Sequence, residues 1–290
     1  MNWFLLAFVA ALFTAGHTVL EKRAVSKGRT LEVSWMLALA NAIFSIPVFW
    51  IADFSGVNLS VIGFIFIASL FGTGALFLAT KSLKHTEVSE SSAFFALSPL
   101  VAAALAFVFL QERIAGINLI GFVLMVGGIL FLELKNFRFL SGIFTKGREK
   151  YVIYTLAAVL LFGVSALFDR IVLSGYEIDA LAFLAIVHIF LAINFSIIFL
   201  IQPLSQEEFM SSLRSNWKLI ILLGVITYLQ RYFYANAVQV ALSLGMVVAV
   251  KRLSALFTVI IGGNLFHEHD IVRKTIATVI ILSGLALLVW

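Results

Sequence analysis

Residues 89–113 read Ser-Glu-Ser-Ser-Ala-Phe-Phe-Ala-Leu-Ser-Pro-Leu-Val-Ala-Ala-Ala-Leu-Ala-Phe-Val-Phe-Leu-Gln-Glu-Arg, and 156 positions further on the chain repeats the theme. Without a gap, Leu97-Ser98 meets Leu253-Ser254, Leu100 meets Leu256, Glu112 meets Glu268 and Gly128 meets Gly284. Aliphatic identities are cheap in so apolar a chain, so the serine, glutamate and glycine matches carry the weight. At a shift of 148, Glu21-Lys22 also meets Asp169-Arg170, and one small gap separates the two alignments.

The surrounding composition says where these halves reside. Of 290 residues, 62% are hydrophobic and only 12% charged, with a mean hydropathy of +1.09. A soluble chain carries about 25% charged residues, so this surface is made for lipid. A transmembrane helix needs roughly 20 apolar residues. Ten stretches qualify: Asn2–Leu20, Val33–Ala52, Val61–Ser82, Ser89–Leu110, Ala115–Leu134, Tyr151–Phe168, Ile178–Ile201, Trp217–Ala241, Leu244–Phe266 and Ile271–Trp290. The first lacks a basic leader and a small-residue cleavage site, and reads as a span rather than a signal peptide. The largest connections, Glu21–Glu32, Lys135–Lys150 and Gln202–Asn216, are too short for a soluble domain. Five spans per half is an odd number, so the second half enters the membrane from the opposite side. The predicted fold is an all-α membrane protein of ten transmembrane helices in two inverted five-helix repeats, 1–134 and 151–290, joined by a cytoplasmic linker, 135–150.

Loop charge gives the orientation, because lysine and arginine are retained in the cytoplasm. Fifteen basic residues follow spans one, three, five, seven and nine; the other side has two, Arg113 and Arg170. Both termini are therefore predicted outside the cytoplasm, in a multi-pass protein of the cytoplasmic membrane. The net charge of +5 lies in these short loops, which argues against nucleic acid as a partner. With no cysteine, disulfides, thiolate zinc sites and cysteine catalysis are excluded.

Ser89–Arg113 resembles the fourth-span signature of EamA-type transporters of the drug/metabolite transporter superfamily. Val250-Lys251-Arg252-Leu253-Ser254-Ala255-Leu256-Phe257 through Phe266-His267-Glu268 resembles the same family's ninth-span signature. The resemblance covers essentially the whole chain. It implies a solute carrier whose central cavity, between the repeats, opens alternately to either face, and it implies cytoplasmic termini, against the loop charges. The Lys251-Arg252 doublet is also similar to the pair that plastid triose-phosphate translocators, distant relatives, present to phosphate.

Three basic residues belong to neither set of loops: Arg231, Lys251 and Arg252. At helical rise Arg231 and Lys251 lie roughly 10–15 Å deep from the same face. A charge there costs about 2.5–3.5 kcal/mol on insertion scales, which marks these residues as functional candidates. No carboxylate falls at their level: Glu87 and Glu90 start span four and Asp169 follows span six. Cations facing a wet cavity make an anion site, with guanidinium forks and an ammonium suited to carboxylate or phosphate. Tyr228, Gln230, Tyr232 and Tyr234 make span eight the most polar-aromatic of the ten, and either line the cavity or pack. His17 and His188 either relay protons or are ordinary hydrogen-bonded histidines.

Two motifs fail on spacing. His267-Glu268-His269 does not place two imidazoles on one helical face, so neither a metal nor any other cofactor is expected. Gly72-Thr73-Gly74, Gly127-Gly128 and Gly262-Gly263 follow no strand and are read as close-packing residues rather than phosphate loops. The expected function is secondary transport of a small organic metabolite, anionic or zwitterionic, by alternating access. The rivals are a lipid head-group flippase of the same fold and an intramembrane enzyme, the second lacking well-placed carboxylates or a nucleophile.

Overall fold

The computed structural model describes residues 2–27, 30–85, 94–133, 149–201, 206–257 and 271–289, and among them there is no strand. The helices are α1 (Trp3–Lys27), α2 (Thr30–Ser45), α3 (Leu59–His85), α4 (Ser98–Leu110), α5 (Ile117–Glu133), α6 (Glu149–Arg170), α7 (Ala180–Ile201), α8 (Gln206–Val240), α9 (Leu244–Lys251) and α10 (Ile271–Val289). A 3-10 turn, Pro47–Trp50, extends α2, and a π turn, Ile171–Gly175, extends α6. Five of these segments are long and apolar enough to cross a membrane: Trp3–Ser26, Thr30–Trp50, Leu59–His85, Lys150–Gly175 and Ala180–Ile201.

Several predicted boundaries move. Glu21, Lys22 and Arg23 belong to α1, and the predicted connection Gln202–Asn216 is helical from Gln206. Span six does not stop at Phe168. It carries Asp169 and Arg170 inside the helix. The larger departure concerns spans four and nine, which are not continuous. Helix gives way to turn at Ala96-Leu97, just before Pro99, and again at Arg252-Leu253. Pro99 has no N–H, and near it the chain makes tighter bonds from Leu97 N–H to Phe94 O and from Leu100 N–H to Leu97 O. At the second break Leu253 N–H donates to Val250 O and Ala255 N–H to Arg252 O. The 156-residue shift superposes the two breaks residue on residue. Glu87, Glu90, Gly262-Gly263 and His267-Glu268-His269 lie outside the described residues, as does nearly all of the predicted linker.

The principal pairings are α1 with α8, α2 with α7 and with α8, α3 with α6 and with α7, α4 with α9 and α5 with α10. Exchanging the halves, α1 for α6 through α5 for α10, maps this set onto itself. Glycine permits the closest approach: a Cβ on Gly284 would sit 2.5 Å from Met125 N, and one on Gly128 would sit 2.7 Å from Ile281 Cγ1. Without a hydrophobic drive between helices in lipid, such contacts and interhelical hydrogen bonds hold the bundle. Asn194 Nδ2 donates to Ser69 Oγ at 3.0 Å, and Trp35 Nε1 to Ser196 Oγ at 2.9 Å. At one end of the bundle Asp179 accepts from Ala182 N–H, capping α7, and from Asp53 N–H. The Ser55 N–H donated to Asp53 holds that exposed carboxyl below the usual carboxylate range.

Candidate functional site

A cavity of about 280 Å³ lies where α1, α2, α3, α6, α7, α8 and both helix breaks converge. Of the residues singled out in the sequence, Arg231, Lys251, Arg252, Gln230, Tyr234, His17 and His188 all line it. Tyr228 and Tyr232 do not. The Tyr228 ring packs on His188 with centroids 5.1 Å apart, and Tyr232 packs edge-on against Phe233.

The breaks put basic groups on the cavity wall. Arg252, at one break, donates from Nε to Ser98 Oγ at 2.6 Å, beside the other, and its guanidinium lies over the Phe95 ring. Lys251 Nζ stands 4.2 Å from the Tyr234 ring centroid, a cation–π contact that replaces part of its lost hydration. The sequence reading of a purely cationic site needs correction. Asp169 also lines the cavity, 8% exposed, and lies within electrostatic reach of Arg231 and Lys251. Hydropathy falls after Phe168, whereas the helix runs on through Arg170 and so carries Asp169 to the cavity wall. Glu21, its counterpart in the repeat, lines the cavity as well; it accepts from Thr80 Oγ1 at 2.9 Å and lies 3.5 Å from His17 Nδ1. The repeat held the signal that would have found Asp169, since both members of the pair face the same space.

The neighbouring basic residues serve a different end. Arg170 donates from Nε to Glu112 Oε1 at 2.6 Å, and its other nitrogens donate to Val238 O and Ala241 O at the end of α8. Glu112 Oε2 in turn accepts the Leu244 N–H that opens α9, at 2.8 Å. Left-handed Gln111, with φ of 56°, ends α4 and sets up that reach. Lys22, the repeat counterpart of Arg170, likewise donates to a carbonyl near the end of α3, Leu83 O. Glu112 is thus no simple boundary charge, and Arg170 is no loop residue: together they join four helix ends.

Polar groups without partners mark the cavity further. Among the described residues, Ser34 Oγ, Asn41 Oδ1, Asp169 Oδ1, His188 Nε2 and Gln230 Nε2 are buried with no hydrogen-bond partner, and all five residues line it. Each such group costs about 1–3 kcal/mol if left unpaired.

The sequence profile of the EamA-like transporter family matches residues 1–134 and again 149–290. The chain belongs to the EamA-like transporter family. It is accordingly a multi-pass integral membrane protein of the drug/metabolite transporter type. No protein of curated function matches the chain. The chain is similar in fold to a solved crystal structure with 13% identity and a TM-score of 0.73, over 98% of this chain and 95% of that one.

Proposed function

We propose that this EamA protein is a secondary transporter that moves a small zwitterionic organic metabolite by alternating access. The carrying observation is one buried cavity in which Arg231 and Lys251 share space with Asp169. The cations suit a carboxylate and Asp169 suits an ammonium, so a molecule bearing both satisfies the site better than a simple anion. The volume is that of a metabolite rather than a drug-sized ligand. Ten spans in two inverted repeats are supported by the twofold family match, the matched helix breaks and the pairing that survives exchange of the halves. Broken helices meeting at a central site are the arrangement that alternating access uses.

Binding tests this reading directly. The detergent-purified protein should be stabilised against heat by α-amino-acid zwitterions, weakly by dicarboxylates and not by simple amines, with counterflow in proteoliposomes confirming the stabilising compounds. Stabilisation by phosphate esters alone, with lipid-phosphate translocation, would favour a flippase instead.

We also place the protein in the cytoplasmic membrane with both termini outside the cytoplasm, on the strength of the loop charges. A reporter fused after Trp290 and active only in the cytoplasm should be silent. Strong activity would show that helix packing overrides loop charge.

A further inference from the structure

Each repeat carries an acid followed directly by a base, Glu21-Lys22 in the first and Asp169-Arg170 in the second. In both, the acid lines the cavity, and the base turns away from it to tie helix ends together. Arg170, on α6, donates to Val238 O and to Ala241 O at the end of α8, and Glu112 joins it to the end of α4 and to the N–H of Leu244 that opens α9. Lys22, on α1, donates from Nζ to Leu83 O of α3 at 2.5 Å. The 156-residue shift carries Leu83 onto Gln239, which lies between the two carbonyls that Arg170 holds. The two ties stand at opposite ends of the bundle. Asp53 N–H donates to Asp179, so the connection from α2 to α3 meets the one from α6 to α7, and the end of α6 lies at the level where α3 starts. Lys22 ties to the other end of α3.

The Arg170 tie also shuts the cavity at its own end. Asp169 on α6, Ala235 on α8, Val248 on α9 and Ala102 on α4 line the cavity. On all four helices the tie residues lie further toward that end: Arg170, Val238 with Ala241, Leu244 and Glu112. They are closely packed, with Arg170 8% and Ala241 6% exposed and Val238 and Leu244 fully buried. At the opposite end the cavity reaches Leu83 itself, the acceptor of the Lys22 tie. We propose that the two ties are the latches of the two gates through which the cavity opens in turn, and that the Arg170–Glu112 latch is the one shut in this structure. The proposal rests on the alternating-access reading. An ion pair suits a latch that must part and re-form. It is held by charge-assisted hydrogen bonds while shut, and once it parts water solvates both groups, so that neither is left as a buried unpaired charge. An apolar plug of the same size gains nothing from water when it opens.

The chain has no cysteine, so a single introduced thiol reports access without background. Ala166→Cys puts one on the cavity wall, a helical turn from Arg170. A membrane-impermeant maleimide is applied to each face of proteoliposomes holding the full-length protein in one orientation. Glu112→Gln should raise the labelling rate from the Arg170 face roughly tenfold, since losing one charge-assisted hydrogen bond shifts a two-state equilibrium by about that factor. Labelling from the other face should not rise. Arg170→Lys keeps the charge but cannot span three acceptors; it should act in the same direction, and it stands in if Glu112→Gln does not fold. Lys22→Gln should raise labelling from the opposite face alone. Rates that stay unchanged in Glu112→Gln and Arg170→Lys, or that rise equally from both faces, would overturn the Arg170 latch, and the same result with Lys22→Gln would overturn its counterpart. The labelling needs no substrate, so such a result leaves the zwitterion reading standing. That reading fails separately, if no zwitterion stabilises the protein.

Discussion

Replacing Arg170 by methionine is expected to destabilise the protein by about 3–5 kcal/mol, the loss typical of breaking a buried ion pair on one side only. The guanidinium satisfies Glu112, Val238 O and Ala241 O at once, and the Arg170 and Glu112 side chains are only 9% and 12% exposed. Methionine fills much of the volume and donates nothing. Glu112 then keeps only the Leu244 N–H, and two carbonyls at the end of α8 lose their donor. Glu112→Gln should cost less, about 1–2 kcal/mol, because its carbonyl still accepts a hydrogen bond from Arg170 or from Leu244. The double replacement Arg170→Met, Glu112→Leu should be more stable than Arg170→Met alone, since the orphaned carboxylate goes with its partner. Melting temperatures of the three detergent-solubilised variants check the ranking. If, with Glu112→Leu measured alongside, the double variant melts below the unmodified protein by the full sum of the Arg170→Met and Glu112→Leu losses, Arg170 and Glu112 are not energetically linked.

The same two residues show what could be read from the sequence and what could not. The match of Glu112 to Glu268 helped reveal the repeat, yet as an isolated acid near a predicted span end it looked inexpensive. Its partner Arg170 was counted as a loop residue, because hydropathy falls at Asp169 and a window average ends the span there. The helix in fact runs on through Arg170, and the cost of burying the Arg170 side chain is met in part by carbonyls from α8 that are 68 and 71 residues away in sequence. No local pattern reports such a partner. The breaks at Ala96-Leu97 and Arg252-Leu253 were nearer to legible, since Pro99 stands beside one and the Leu-Ser identity of the repeat stands at both. Arg231, Lys251, Arg252, Gln230 and Tyr234 do line one cavity. Facing direction was read less well. Tyr228 and Gln230 are two residues apart on α8 and point to different neighbours, and no alignment of charge in the sequence distinguishes them.

The charged end of the cavity gives the second large effect. Arg231→Gln should weaken zwitterion and dicarboxylate binding together, by roughly tenfold to hundredfold, because a charge-assisted hydrogen bond to the carboxylate is lost. Asp169→Asn should separate them. It removes the proposed partner for the ammonium, so the zwitterion binds less tightly, and it removes repulsion, so the dicarboxylate binds more tightly. Lys251→Arg should also impair binding, a planar guanidinium standing where a compact ammonium lies over Tyr234. Read from sequence, Arg231 has no partner, and neutralising it would relieve a costly buried charge. Asp169 in the same cavity reverses that forecast, because Arg231→Gln leaves a carboxylate that is 8% exposed with less counter-charge. Arg231→Gln should therefore melt at a lower temperature than the unmodified protein, and addition of Asp169→Asn should restore part of the loss. Dissociation constants and melting temperatures on the same proteins decide between the accounts. A zwitterion affinity that survives Asp169→Asn would take that carboxylate out of the binding site, and melting losses that simply add would show that it does not balance Arg231.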